Sequence, residues 1–200
     1  IEGNAFYECS NLKEVEFAEE SALTAIGGYV FSGCESLENI AIPEGVTTLG
    51  ENVFSQCKNL KEVEFENESA LTNIGSQAFR ECKKLEKITI PSGVTVIGES
   101  AFYECSNLKE VEFAEGSELT DIQSYAFHLC ESLNKITIPS GVTVIGSDAF
   151  SECRALEKIT IPSGVTSLKN SVFYSCSNLK EVKFEKESKL TTIGSYALYN

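Results

Sequence analysis

Eight cysteines are the first residues in this chain that could do chemistry. Cys9, Cys34, Cys57, Cys82, Cys105, Cys130, Cys153 and Cys176 are spaced 25, 23, 25, 23, 25, 23 and 23 residues apart. A structural zinc site needs ligand pairs two to four residues apart, and this spacing offers none. Disulfides between stacked neighbours would fit the window of roughly 4.4–6.8 Å between Cα atoms. Yet each Cys has Phe three residues before it and Leu three residues after it, the register of a small buried apolar side chain. Free, packed thiols are expected. The only histidine is His128, and the only aspartates are Asp121 and Asp148, about one repeat away. A catalytic triad or metal site needs several singular groups converging, so no enzyme, no cofactor and no metal is expected, and His128 reads as an incidental surface residue.

Threonine also recurs without exception, as Thr24, Thr47, Thr72, Thr95, Thr120, Thr143, Thr166 and Thr191. An ice-binding hydroxyl array would use such regularity, but it pairs Thr with a second Thr at alternate positions, and here the following residue varies from Ala25 to Thr48, Asn73, Val96 and Asp121. The preferred reading is structural: a β-branched residue in extended backbone whose hydroxyl satisfies a peptide group at a tight corner.

These columns belong to one repeat. Phe6, Phe31, Phe54, Phe79, Phe102, Phe127, Phe150 and Phe173 form a core spine, with Leu198 in the ninth place. The turns come in two lengths. The short form reads Ile90-Pro91-Ser92-Gly93-Val94-Thr95, and the long form Phe65-Glu66-Asn67-Glu68-Ser69-Ala70-Leu71-Thr72. Their order is long, short, long, short, long, short, short, long, so the second consecutive short coil, at residues 161–164, breaks the alternation. No unit can cover both of its flat sides, so burial must come from stacking. Residues 108–113 alternate apolar and charged, which is strand patterning, and one such strand per coil predicts a parallel sheet along one side. On the opposite side, Ser76, Ser124, Ser147 or Asn170 would cap one helical turn. Phe17, Phe65, Phe113 and Phe184 end the strands of the long coils and are expected in the core.

The succession Ile136, Ile138, Pro139, Gly141, Val142, Thr143, Ile145, Gly146, Ala149, Phe150, Cys153 resembles the leucine-rich repeats of the BspA-like, Treponema-type family. Gln123 and Lys169 depart from it by replacing the usual Gly, and the long coils lack the Pro. The resemblance implies an α/β repeat solenoid, a leucine-rich repeat arc with a parallel β-sheet on the concave face and short helical or 3-10 turns on the convex face. It further implies a cell-surface or extracellular location and a protein ligand, with host extracellular-matrix or plasma proteins as the partner class, and it supplies no catalytic residues. Residues 1–200 read as one domain of about eight coils, and both ends fall inside a repeat, which suggests a segment of a longer protein.

Charge bears on partners. The net charge of −14 repels phosphate backbones and anionic lipid surfaces, which argues against nucleic acid, and no apolar run approaches the roughly 18 residues a membrane helix needs. One position after each strand Leu stand Lys13, Glu38, Lys61, Glu86, Lys109, Asn134, Glu157 and Lys180, and the next position reads Glu14, Asn39, Glu62, Lys87, Glu110, Lys135, Lys158 and Glu181. Neighbouring coils thus mostly oppose unlike charges, each pair contributing roughly 0–1 kcal/mol. A more open column, Glu16, Ala41, Glu64, Thr89, Glu112, Thr137, Thr160 and Lys183, should face the concave space. Its polar members are the candidate binding residues. Tyr7, Tyr29, Tyr103, Tyr125 and His128 form a second candidate, an exposed aromatic patch. A structural spacer holding another domain away from the cell surface is the alternative function.

Overall fold

The computed structural model describes residues 1–200 except Glu19 and Asn67, so that residue of the long turn lies outside the described part. The chain winds as a parallel β-solenoid with two strand-bearing sides. One side carries β2 (Asn39–Ile42), β4 (Glu62–Phe65), β6 (Lys87–Ile90), β8 (Glu110–Phe113), β10 (Lys135–Ile136), β12 (Lys158–Ile161) and β14 (Glu181–Phe184). The other carries two-residue strands after each threonine: β1 (Ala25–Ile26), β3 (Thr48–Leu49), β5 (Asn73–Ile74), β7 (Val96–Ile97), β9 (Asp121–Ile122), β11 (Val144–Ile145), β13 (Ser167–Leu168) and β15 (Thr192–Ile193). The first six of these, β1 to β11, form one continuous sheet, and β13 pairs with β15. The sequence pattern predicts a single strand-bearing side. The second arises because the Ile or Leu that ends each of the strands β1 to β13 on this side points into the core while the residue between it and the Thr stays out; in β15 Ile193 is exposed.

Between the two sheets the repeated side chains stack on their own copies. The rings of Phe6, Phe31, Phe54, Phe79, Phe102, Phe127, Phe150 and Phe173 lie 5.1 to 5.7 Å apart, centroid to centroid, and nearly parallel. All but Phe6 are fully buried. All eight cysteines are free. From Cys34 onward each Sγ donates to the carbonyl of a Phe one coil back, as Cys57 does to Phe31 at 3.1 Å and Cys105 to Phe79 at 3.0 Å. The same carbonyl accepts the N–H of the Cys in its own coil, as Phe31 does from Cys34. Sulfur therefore sits where a small side chain with one weak donor fits. Cys9 is exposed, which departs from the uniform burial expected.

The turns beside the cysteines are not helical, contrary to the expectation of helical or 3-10 turns: no described residue is in a helix. The hydrogen bonds explain this. In residues 52–57, Asn52, Phe54 and Gln56 donate their N–H groups to Ser76, Ala78 and Arg80 of the next coil at 2.9, 2.8 and 2.7 Å, while Ser55 and Cys57 close back on Asn52 and Phe54. Alternate donors are thus committed to the neighbouring coil, and no run of i to i−4 bonds can form. The residues two before and two after the Phe also take left-handed backbone, φ 54° at Asn52 and φ 60° at Gln56. Ser76, Ser124, Ser147 and Asn170 are therefore not helix caps. Their carbonyls receive the N–H groups of Asn52, Ser100, Tyr125 and Asp148.

Proline removes one hydrogen bond from each step into a short coil. At steps into a long coil, Glu66, Ala114 and Glu185 donate their N–H groups to the carbonyls of Ile42, Ile90 and Ile161 at 3.2, 3.0 and 3.0 Å. The short coils place Pro43, Pro91, Pro139 and Pro162 at that position, and proline has no N–H to give. Accordingly β2–β4, β6–β8 and β12–β14 pair over four residues, β8–β10 over two, and β4–β6 and β10–β12 have no ladder. At the irregular step between the two consecutive short coils, the ladder between β11 and β13 is interrupted too.

Candidate functional site

The outward face of the long strands holds the predicted column. Glu16, Glu64, Thr89, Thr137, Thr160 and Lys183 are exposed, and Glu112 is partly buried. The ladders bring Thr89 opposite Glu112, Thr160 opposite Lys183, and Glu64 opposite Ala41. Glu16 precedes the first strand, and Thr137 follows the truncated β10.

Charge matching between coils is present as the sequence suggests. Lys61 bridges Glu38 at 2.5 Å, Lys109 bridges Glu86 at 2.7 Å and Lys180 bridges Glu157 at 3.2 Å. In the middle of the face the pairs merge into a cluster: Lys87 reaches Glu112 at 2.8 Å and Glu110 at 3.7 Å, and Lys135 contacts both carboxylates. The Lys87 hydrogen bond holds the Glu112 carboxyl below its ordinary pKa, and the Lys61 hydrogen bond does the same for Glu38. Glu112 is therefore engaged, unlike the open residue its column implied.

The strand-ending phenylalanines also differ from expectation. Phe65 and Phe113 are only partly buried and Phe184 is 41% exposed, whereas Ile42, Ile90 and Ile161 at the same place in short coils are fully buried. Each exposed ring ends a long strand, and for Phe65 the strand on its far side is unpaired.

On the turn side, the tyrosines do not form one patch. Tyr7 meets Tyr29 edge-on at 6.5 Å, while His128 packs against Tyr103 at 5.2 Å and Tyr125 at 5.7 Å, with Arg80 over the Tyr103 ring at 5.6 Å. His128 is half-buried rather than a surface residue. Its Nδ1 has no hydrogen-bond partner, and burial lowers its pKa, leaving the ring neutral at pH 7. Asp148, beside it, is pushed up by burial. No group of three His, Cys, Asp or Glu side chains able to hold a metal occurs among the described residues.

Five of the column's threonine hydroxyls are already bonded. Those of Thr47, Thr72, Thr95, Thr120 and Thr191 donate to the carbonyl of the Thr one coil back at 3.1 to 3.3 Å. Sequence reasoning missed a related set of clasps: Asn59, Asn107 and Asn178, all in long coils, donate side-chain N–H groups to the carbonyls of Glu35, Lys83 and Arg154 at 2.6 to 2.7 Å. Their recurrence two residues after the Cys of long coils was the available signal.

Coils of 23 or 25 residues stacked through parallel strands, with Leu, Phe and Cys columns inside, define a leucine-rich repeat solenoid. The chain belongs to the BspA type leucine rich repeat family, whose model matches residues 1–118 and 97–200 in six copies. Among solved structures it is similar to the leucine-rich repeat protein TpLRR of T. pallidum, at 27% identity and TM-score 0.57, over 88% of this chain and 69% of that one. It is likewise similar to a leucine rich cell surface protein from Faecalibacterium prausnitzii A2-165, at 28% identity and TM-score 0.54, over 88% of this chain and 62% of that one. The pneumococcal vaccine antigen PcpA shares the fold at 24% identity and TM-score 0.66, over 88% of this chain and 53% of that one. Among curated proteins, none matches the chain.

Proposed function

We propose that this chain is a protein-binding segment of a bacterial surface protein, displayed outside the cell, and that it engages host extracellular-matrix or plasma proteins through the long-strand face, its concave side. The observation that carries this reading is the exposed column Glu16, Glu64, Thr89, Thr137, Thr160 and Lys183, with the partly buried Glu112 in the same column, on a face whose strands pair in the groups β2–β4, β6–β8–β10 and β12–β14. Rigid strands hold contact residues better than loops do. The cell-surface description of the F. prausnitzii protein supports the location. No helix is long and apolar enough to cross a membrane among the described residues, and a net charge of −14 disfavours nucleic acid.

The test is saturable binding of the chain to immobilised matrix and plasma proteins, compared with a variant carrying Glu64→Ala, Glu112→Ala and Thr137→Ala. Binding that disappears in the variant while the fold persists supports the reading. Binding that the variant retains, or its absence across the panel, contradicts it. One observation favours a structural spacer as the second reading: the bridges Lys61–Glu38, Lys109–Glu86 and Lys180–Glu157 spend surface charge on neighbouring coils.

A further inference from the structure

The long-strand face is not uniform. Between β4 and β6 it opens into a groove of about 990 Å³, whose lining includes Glu62, Glu64, Phe65, Lys87, Thr89 and Pro91. Pro91 offers no N–H at the end of β6, and the separation runs the length of the strands. Neither Glu86 nor Lys87 donates to the Lys61 carbonyl, whereas Lys109 and Glu110 both donate to Glu86 at the next step. On the opposite side of the same two coils, β5 and β7 remain paired. The two coils therefore part on one side only, leaving unpaired strand edges at the groove.

The charge in this groove differs from that of the neighbouring step between β6 and β8. Glu110 and Glu112 are bridged by Lys87 and Lys135. Glu62 and Glu64 have no bridging cation among the described residues: on the β2 side their register partners are Asn39 and Ala41, and across the groove Lys87 turns to Glu110 and Glu112. The lysines on the rim are committed elsewhere, Lys61 to Glu38 and Lys87 to Glu112. Two exposed carboxylates at i and i+2 on one strand project to the same side about 7 Å apart, beside the partly exposed ring of Phe65.

We propose that this groove binds an extended peptide segment of a partner protein, with Lys or Arg at two alternate positions to meet Glu62 and Glu64 and an apolar side chain beside them to pack on the partly exposed ring of Phe65. This rests on the protein-binding reading above and adds the chemistry of the partner. The repeat spacing of the peptide matches that of the carboxylates, and the acidic field of the chain speeds the encounter.

A fluorescein-labelled peptide alternating lysine with threonine and phenylalanine is titrated against the whole chain by anisotropy, beside a peptide of identical composition with its lysines in one block. The alternating peptide is expected to bind about tenfold more tightly than the blocked one, and Asn39→Lys, which restores the missing cation opposite Glu62, is expected to weaken it about tenfold. Circular dichroism of Asn39→Lys should match the parent. Equal affinity for the two peptides, or binding indifferent to Asn39→Lys and to Glu62→Gln with Glu64→Gln, overturns the proposal. If neither peptide binds but matrix or plasma proteins are still captured through the face, the groove assignment fails and the broader reading stands. If capture fails as well, both fail.

Discussion

The backbone N–H of Ala114 lies 3.0 Å from the carbonyl oxygen of Ile90. That bond closes the step between β6 and β8, and its counterpart between β4 and β6 cannot form because Pro91 stands where Ala114 does. The long-strand side is thus divided into the groups β2–β4, β6–β8–β10 and β12–β14, with open steps between β4 and β6 and between β10 and β12. Both open steps lead into short coils, at Pro91 and Pro162.

Thiol chemistry tests the core directly. Seven thiols are buried and Cys9 is exposed, so a thiol reagent should find one reactive group in the native chain and the others only after unfolding. Burial pushes Cys34 up to about 11 and Cys105 and Cys176 up to about 12, from an ordinary 9.0. The folded state therefore keeps protons that the unfolded chain releases. This stabilisation is complete below about pH 9 and is lost as pH rises toward the folded values, at about 1.4 kcal/mol per pH unit for each such thiol. Urea midpoints should fall steeply above about pH 9. A midpoint flat to about pH 11 would contradict the buried-thiol column.

Gly146 tests the close approach of coils. A Cβ there would lie 2.3 Å from the backbone nitrogen of Ser124 and 2.6 Å from the carbonyl carbon of Gln123. Backbone cannot swing aside as a side chain can, so Gly146→Ala should cost about 1–3 kcal/mol through overpacking. Chemical denaturation measures it, and a neutral result would mean that the coils are farther apart at this point.

Glu68 tests backbone strain in the long turn. Its φ is 62°, and Gly116 takes the same place in a later long turn with φ 77° and open space, with no atom within 4 Å of where a Cβ would stand. Left-handed backbone costs an L-residue about 1–2 kcal/mol, partly offset by the entropy that glycine loses on folding. Glu68→Gly should raise stability by about 0.5–1 kcal/mol, and Gly116→Ala should lower it. A fall in the melting temperature of Glu68→Gly would show that its side chain does more than occupy the turn.

Much of this is legible in the sequence because repetition marks inward positions. Cys57 between Phe54 and Leu60, or Lys61 opposite Glu38, can be placed from spacing alone, as can the irregular second short coil. The turns escape such reading because Asn52 and Gln56 adopt left-handed backbone without glycine to announce it. Pro91 reads as a turn residue, although its missing N–H also removes the bond that Ala114 makes at the next step. Phe65 looks like core because its pattern equals that of Ile90, and only the absent partner strand exposes it. Register alone finds the candidate column, but Glu112 proves bridged, and Glu62, two residues before Glu64 on the same strand, has like Glu64 no bridging cation among the described residues.

Amide hydrogen exchange measured residue by residue is the most direct test of the open step between β4 and β6. Lys87, at the open step below β4, should exchange far faster than Glu110, which donates to Glu86 at the closed step, with the later pair Lys158 and Glu181 following the same order. Comparable protection at Lys87 and Glu110 would mean that β4 and β6 are paired after all and that no groove divides the face.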